Sequence, residues 1–258
     1  MIQTLNRHVK YRKDNGAIFI CDCKRLLDLK IEFKHEDFMR NLFKGIDEKK
    51  LNEKEKTIFS DFEKMDLLSE LKIRGLAEKD FSKAMDILDR ELGEKRVRDR
   101  GFLHKKFKEF PKFFIGLFLD KDLVGVICGF PREDYLLMSE IAVDSRFHGR
   151  DFGKRLVNEF ERRATGFKII KAGAQDDAIT FYKKIGYKPF LLIQVKKKDY
   201  KEEGYRNFKK IKEIEQGDYF IIEAKATRID KGVLQKYRKD YPLANFQFIF
   251  QKSFSRHQ

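Results

Sequence analysis

The sequence of 258 residues contains no tryptophan, three cysteines, four prolines and 16 glycines. Three cysteines are too few for a disulfide scaffold in a chain of this length. The small number of prolines and glycines excludes collagen-like and low-complexity chains. In contrast, 26 phenylalanines and nine tyrosines supply ample core material, which argues against disorder. The length predicts one large domain or two modest ones.

The chain also lacks a long uninterrupted apolar run. Its N-terminus has no apolar signal core, and Asp120, Lys121 and Asp122 interrupt the longest apolar stretch, residues 113–130. A charged triplet is costly inside a bilayer, so we predict no membrane span and instead two short strands joined by a turn. Three free cysteines fit a reducing compartment, which predicts a cytoplasmic protein.

Acidic side chains are scarce mainly in the C-terminal part. The whole chain has a formal net charge of +15, with 57 Lys+Arg against 42 Asp+Glu. Residues 1–70 have a net charge of +1, whereas residues 151–258 have 25 basic and 14 acidic side chains, a net charge of +11. This excess predicts an anionic partner. Because the N-terminal part is nearly neutral, a nucleic-acid partner is not favoured.

Metal ligands are also scarce. Cys21 and Cys23 are two residues apart in a predicted strand, so their side chains share a face. Neither a second cysteine pair nor a nearby histidine cluster completes a zinc site. We therefore predict no metal, and buried thiols at Cys21, Cys23 and Cys128.

Hydrophobic spacing predicts a mixed order of strands and helices. A strand at 16–23 and helices at 35–43 and 52–71, the last capped by Asn52, predict a small N-terminal α+β domain over residues 1–70. From residue 71 the predicted order is β, helices, three strands, α, β, α, β, β and a final α-β. Antiparallel middle strands place the protein in the α/β (α+β) class, with a mostly antiparallel central sheet flanked by helices. This main domain covers residues 71–258, with a C-terminal β-α-β extension at about 196–258.

Residues 141–156 form a strand–loop–helix pattern with a glycine-containing loop, which is a known arrangement for binding phosphate. A strand leads into a loop containing Gly149 and Gly153 and then into a helix. The N–H groups at such a helix start attract phosphate, and glycines let the main chain approach the anion. Taken alone, the pattern fits either a phosphate cradle or a tight β–α connection.

The loop resembles motif A of the GNAT superfamily of N-acetyltransferases. In that pattern a strand ends in Val-x-Pro and is followed by (Arg/Gln)-x-x-Gly-x-(Gly/Ala) and a helix. Residues 143–145 match the strand end with Ser145 in the proline place, and the two glycines match theirs. His148 stands where Arg or Gln is usual, and Asp151 where the middle Gly is usual. Asp151 is either an N-cap of the helix or a carboxylate that repels the cofactor phosphates.

A second motif of the family follows at the matching separation. Gln175, Ala178, Tyr182, Gly186 and Tyr187 resemble Asn-x-x-Ala-x-x-x-Tyr-x-x-x-Gly-Phe, with Gln and Tyr in the places of Asn and Phe. The resemblance covers about residues 71–195 and implies a GNAT-like fold.

The resemblance implies acetyl-CoA as co-substrate, without a metal. Main-chain groups of residues 141–143 would bond the pantetheine arm and amides of residues 147–154 the pyrophosphate. The implied cofactor-binding residues are Ile141, Ala142, Val143, Phe147, His148, Gly149, Arg150, Asp151, Phe152, Gly153, Lys154, Gln175 and Ala178. Positive charge for the phosphates would come from the side chains of Arg146, Arg150, Lys154 and Arg155. The alternative for these four residues is a solvated, basic start of the helix without a ligand.

Two residues are candidates for catalysis. Tyr182 matches the family's acid that protonates the leaving thiolate, and its alternative is a packed aromatic ring. Glu140 on the central strand is the best-placed base for the amine, and its alternative is a carboxylate paired with a neighbouring cation. His148 and His104 are weaker candidates, and His148 is expected to contact phosphate or solvent.

The predicted function is transfer of an acetyl group to a primary amine of a small molecule or a peptide, by a monomer or homodimer. The alternative is a non-catalytic module that senses acyl-CoA or binds a peptide or nucleic acid. Residues 1–70 faintly resemble PqqD-like peptide-binding domains, and a winged helix is the rival. The Lys- and Tyr-rich residues 195–212 fit a solvated loop better than a site for RNA.

Overall fold

The computed structural model describes residues 1–14, 16–93, 99–174, 178–205, 208–226, 229 and 231–254. The strands are β1 (Ile2–Leu5), β2 (Val9–Asp14), β3 (Ala17–Asp22), β4 (Leu27–Glu32), β5 (Ile46–Asp47), β6 (Leu68–Gly75), β7 (Phe114–Leu119), β8 (Asp122–Pro131), β9 (Leu136–Val143), β10 (Ile169–Gly173), β11 (Lys188–Lys196), β12 (Lys210–Gln216), β13 (Tyr219–Lys225) and β14 (Ala244–Ser253). The helices are α1 (Glu36–Lys44), α2 (Glu53–Lys64), α3 (Glu78–Leu92), α4 (Arg100–Glu109), α5 (Phe152–Arg163), α6 (Ile179–Lys184) and α7 (Lys231–Asp240).

Helix α2 illustrates how local sequence sets a boundary and where the prediction fails. Asn52 accepts the Glu55 amide at 3.0 Å and Glu55 accepts the Asn52 amide at 2.9 Å, so the predicted cap is part of a capping box. The predicted continuation of this helix to residue 71 is wrong. The helix ends at Lys64, and Asp66 has φ +52°, a left-handed conformation that breaks the helix before Leu68 begins β6.

The chain divides into two compact units, the first formed by Met1–Cys128 with Glu140–Arg163. Its main sheet has the order β5-β1-β6-β7-β8, and each of these neighbours pairs antiparallel. A separate antiparallel sheet has the order β2-β3-β4. One hydrophobic cluster gathers N-terminal side chains such as Phe38 and Phe59, and another gathers side chains such as Phe81 and Phe114.

The second unit is formed by Gly129–Ser139 and Ala164–Gln258. Its strands have the order β9-β10-β14-β11-β13-β12, in which β9 and β10 are parallel and the other neighbours antiparallel. Alternate residues of β11 and β14 are buried because one face of the sheet forms the core. These residues are Leu191, Ile193, Val195, Phe246, Phe248 and Phe250.

The predicted fold class is confirmed, since a mostly antiparallel sheet is flanked by helices. The structure adds strands β1, β2, β4, β5 and β12 to the predicted ones. Strand β6 begins at Leu68 and continues past residue 70, and β1 pairs with it. The two compact units therefore do not follow the predicted division at residue 70. Within the described ranges, no helix is both long and apolar enough to cross a membrane.

Candidate functional site

The exit of strand β9 is held by Asp144. Its amide donates to Val124 O at 2.9 Å, and its buried carboxylate accepts the amide and the guanidinium of Arg146. Arg90 donates to the same carboxylate at 2.9 Å. The hydrogen bonds from Arg146, together with the charge of Arg90, hold the pKa of Asp144 below its usual value. The chain direction at the start of the loop is thus fixed by a charged network rather than by a proline.

His148 and Gly149 form the middle of the loop. The His148 Nε2 atom lies 2.8 Å from Val143 O, so this nitrogen contacts the strand end. The residue is exposed as well, and its contact with phosphate or solvent stays a prediction. Gly149 has φ +81°, and a Cβ added there would meet no heavy atom within 4 Å. The loop backbone therefore faces open space at a position that needs glycine for its conformation.

Arg150 is buried rather than directed at a ligand. Arg150 is only 2% exposed, and its Nη1 atom donates a hydrogen bond to Leu5 O at 2.6 Å. Its guanidinium carbon also lies 4.7 Å from the ring centre of Phe43 and 5.4 Å from that of Phe147. Among the described residues it forms no ion pair, and burial lowers the pKa of Arg150 to about 10. The predicted role of this side chain as a surface cation for the cofactor is therefore wrong.

Asp151 and Arg155 also contact the N-terminal residues. Asp151 adopts a left-handed conformation with φ +58°, and its carboxylate lies 3.0 Å from Lys44 Nζ. Arg155 Nη2 donates to Gly45 O, and burial lowers the pKa of Arg155. Asp151 is the residue before the first residue of α5, and its carbonyl accepts the Arg155 amide at 3.0 Å. Its carboxylate is paired with a cation instead of facing the loop unpaired.

The start of helix α5 offers donors for an anion. The first-turn amides of a helix, here those of Phe152, Gly153 and Lys154, have no intrahelical acceptor, and the helix dipole favours negative charge there. Cations outnumber the carboxylate around this turn, because Lys44 pairs with Asp151, the charge of Arg155 also acts on it, and Lys154 is exposed. Together with the open space at Gly149, this arrangement fits the phosphate groups of a coenzyme A thioester.

The strand residues predicted to bond the pantetheine arm lie at the end of β9. Ala142 is 5% exposed and belongs to the core cluster of the first unit, and Val143 is 9% exposed. Ile141 and Glu140 are half-buried. Because Val143 O already accepts from His148, one main-chain group of this strand is occupied by the protein itself.

The second motif lies in the second unit, and contacts between aromatic rings hold it in place. Tyr182 on α6 is 4% exposed, and its ring stacks on Phe250 with centres 5.1 Å apart. Its ring also contacts Phe181 and Tyr187 edge to face. The Tyr182 hydroxyl lies 3.9 Å from Met138 Sδ, a weak acceptor. Ala178 precedes the first residue of α6, and Gln175 lies outside the described residues.

Sequence reasoning missed Leu5, Phe43, Lys44 and Gly45 as neighbours of the loop. Their contacts reach from residues 5–45 to residues 150–155, and nothing in local spacing indicates such a distant pairing. The one available signal was the pair of charged residues inside the loop, Arg150 and Asp151, at positions where the family pattern does not require charge.

Metal ligands do not gather in the part of the chain that the structure describes, since no group of three or more His, Cys, Asp or Glu side chains could hold an ion there. Cys128 is buried as predicted. The prediction of a buried thiol is wrong for Cys23, which is exposed because it follows the last residue of β3 in a turn. The Cys21 and Cys23 sulfurs lie 3.9 Å apart, consistent with a shared face.

Residues 76–187 match the family model described as the acetyltransferase (GNAT) family. This segment spans both motifs, so the chain carries a domain of the GNAT acetyltransferase family. The predicted family and the predicted enzyme class, N-acetyltransferase, are confirmed at the level of this domain. No curated protein matches the sequence.

Solved structures also resemble the chain. Ard1 from Thermoplasma volcanium is 18% identical with a TM-score of 0.41, and the alignment covers 59% of this chain and 95% of that one. Diaminobutyrate acetyltransferase EctA from Paenibacillus lautus, in complex with its substrate and coenzyme A, is 13% identical with a TM-score of 0.42 and coverages of 62% and 99%. N-acetylglutamate synthase from Neisseria gonorrhoeae is 14% identical with a TM-score of 0.45 and coverages of 72% and 36%. The family assignment rests on the match of residues 76–187.

Proposed function

We propose that this protein uses acetyl-CoA to acetylate a primary amine of a small molecule or a peptide. The observation that carries the proposal is the loop and helix start at residues 147–154, which lie within the family match and offer free amides beside a local excess of cations. Amides of Phe152, Gly153 and Lys154 would hold the pyrophosphate, and Gly149 lets the main chain approach it. When bound, acetyl-CoA supplies an acetyl group activated as a thioester.

The reaction then needs one proton removed and one proton supplied. The amine nitrogen forms a bond to the thioester carbon, the carbon–sulfur bond breaks, and the thiolate takes up a proton. We assign the proton donor to the Tyr182 hydroxyl, whose contact with Met138 Sδ is weak enough to exchange for another sulfur. We assign removal of the amine proton to Glu140, a half-buried carboxylate on β9.

Calorimetry with acetyl-CoA, followed by an acetylation assay over a panel of amines, tests this function. The panel should cover amino acids, peptide N-termini, lysine and aminoglycosides. With the best acceptor, Tyr182→Phe is expected to lower kcat by about 100-fold, while the dissociation constant of acetyl-CoA stays within about twofold. Glu140→Gln should lower kcat and shift the pH dependence of the rate.

Tyr187→Phe is the matched control. It removes a hydroxyl from a ring that contacts Tyr182, and it restores the residue usual in the family motif. Its kcat is expected to stay within about twofold of the unmodified protein. If Tyr182→Phe had the same kcat as Tyr187→Phe and the unmodified protein, Tyr182 would have no part in the mechanism.

One observation favours the second candidate function, a non-catalytic module that binds an acyl-CoA or a peptide. His148 occupies the Val143 carbonyl, one of the main-chain groups expected to bond the pantetheine arm. Binding of acetyl-CoA without turnover of any amine in the panel would support this candidate. The non-catalytic candidate would be rejected if the unmodified protein acetylated any amine of the panel and Tyr182→Phe did not.

A further inference from the structure

Three residues of the loop and of the first turn of α5 contact residues from two N-terminal elements, the end of β1 and the end of α1. We call Leu5, Phe43, Lys44 and Gly45 together the N-terminal anchor. The pairs are Arg150 with Leu5, Asp151 with Lys44, and Arg155 with Gly45. All of them lie within the first compact unit. Residues that the family pattern places near phosphate therefore use their side chains to contact another part of the chain.

Gly45 allows the Arg155 side chain to come close to the main chain of the N-terminal anchor. A Cβ at Gly45 would lie 3.2 Å from Arg155 Nη2 and 2.9 Å from Leu71 Cδ2, both tighter than ordinary contacts. Gly45 also has φ +96°, which L side chains rarely adopt. Any other residue at this position would strain the backbone and would press against the side chains of Leu71 and Arg155.

Asp151 needs the anchor for two reasons. Its φ of +58° is disfavoured for residues other than glycine, although Asp and Asn adopt it more readily than most. Its carboxylate also stands at the start of α5, next to the amides that would hold phosphate. Lys44 at 3.0 Å neutralises this charge. Without Lys44, an unpaired carboxylate would oppose the negative charge of a bound phosphate.

We propose that the N-terminal anchor positions the phosphate-binding loop, and that Lys44 makes Asp151 compatible with a bound pyrophosphate. This inference rests on the proposed use of acetyl-CoA. It gives residues 1–45 a part in substrate binding, although they lie outside the family match. Lys44 and Leu5 act through Asp151 and Arg150 and are positioning residues, not catalytic ones.

The test is a double-variant cycle on the full chain, read by calorimetry with acetyl-CoA. Lys44→Met is expected to raise the dissociation constant about three- to tenfold, and this loss should shrink with added salt. Asp151→Gly removes the carboxylate and suits the left-handed conformation, so its affinity should equal or exceed that of the unmodified protein. In the Asp151→Gly background, Lys44→Met should no longer weaken binding. The KM for acetyl-CoA should follow the dissociation constant while kcat stays unchanged.

Lys56→Met is the matched control, because Lys56 pairs with Glu53 at 2.6 Å on the surface of α2 in the same N-terminal part. It should bind acetyl-CoA like the unmodified protein. The inference is overturned if Lys44→Met binds with unchanged affinity, or if Asp151→Gly fails to suppress its effect. If the unmodified protein does not bind acetyl-CoA at all, the proposed function fails, and the inference fails with it. The two failures are therefore distinguishable.

Discussion

The two motifs of the acetyltransferase domain are held in place by different forces. The first, residues 143–154, is fixed by charged and main-chain contacts such as those of Asp144 and Arg150. The second, residues 178–187, is fixed by stacked rings around Tyr182. Ring packing stabilises a fold directly, whereas a buried cation without a counter-ion costs free energy. We infer that Arg150 serves to hold the loop, while the rings around Tyr182 also stabilise the fold by packing.

The largest expected loss of stability belongs to the ring packing around the second motif. Phe250→Ala removes a fully buried ring that stacks on Tyr182, and it should lower the free energy of unfolding by about 4 kcal/mol. Urea-induced unfolding measures this change. Leu243→Ala is the control, since Leu243 is 66% exposed and its truncation should cost less than about 0.5 kcal/mol. Similar losses in both variants would show that ring packing does not dominate the second unit.

A smaller loss is expected at the strand end of the first motif. Asp144→Asn removes a buried carboxylate that accepts from Arg146 and Arg90, at a cost of about 2 kcal/mol near neutral pH. Because the pKa of Asp144 is lowered on folding, its contribution is present above the ordinary Asp pKa. It disappears as the pH falls through the lowered value. The difference between the two proteins in urea unfolding should therefore shrink below about pH 4.

Asp37→Asn serves as the comparison for this pH profile, because Asp37 is 83% exposed at the side chain and pairs with Arg40 on the surface of α1. It should change stability by less than about 0.5 kcal/mol at every pH. A gap between Asp144→Asn and the unmodified protein that stayed constant down to pH 2 would contradict the assigned direction of the pKa shift.

The smallest change in stability is expected for Arg150→Met. Burial lowers the pKa of Arg150 to about 10, which corresponds to a cost of about 3 kcal/mol for the charged form. The lost hydrogen bond to Leu5 O is worth a similar amount, about 1.5–3 kcal/mol. The two effects nearly cancel, so urea unfolding should change by less than about 1 kcal/mol. Acetyl-CoA affinity should nevertheless fall about tenfold, because the loop loses its anchor.

Arg162→Met is the control for this variant, since Arg162 pairs only with Glu159 among the described residues and its side chain is 71% exposed. Neither its stability nor its affinity should change measurably. If Arg150→Met lost several kcal/mol of stability with unchanged affinity, Arg150 would be a structural residue and the contrast between the two motifs would not hold.

The sequence predicted helix α5 and its loop because both depend on local patterns. Phe152, Leu156 and Phe160 are four apart on one face and are buried together, and Gly149 adopts the positive φ expected of a loop glycine. The burial of Arg150 was not predictable in this way. Its acceptor, Leu5, lies 145 residues earlier, and a charged side chain gives no sign in sequence that it will be buried.

Two other differences between the predicted and the observed elements have local causes. Strand β12 is exposed along almost its whole length, so it lacks the alternation that identifies a half-buried strand, and the sequence does not predict it. Its first residues, 210–212, fall within the predicted loop. The predicted helix over 52–71 continued too far because Leu67 and Leu68 keep the helical spacing after Asp66 has already broken the helix. Periodicity does not reveal where a chain changes direction.

Strand β6 also limits how the molecule can be divided. It begins at Leu68, crosses residue 70 and pairs with β1 on one side and with β7 on the other. A chain cut at residue 70 would lose β1 together with Leu68, Ser69 and Glu70, the three residues of β6 that pair with it. It would also lose the two hydrogen bonds that Glu70 forms with Asp120 in the turn between β7 and β8. A truncation that keeps this sheet intact therefore has to retain β1 and the whole of β6, and cannot start at residue 71.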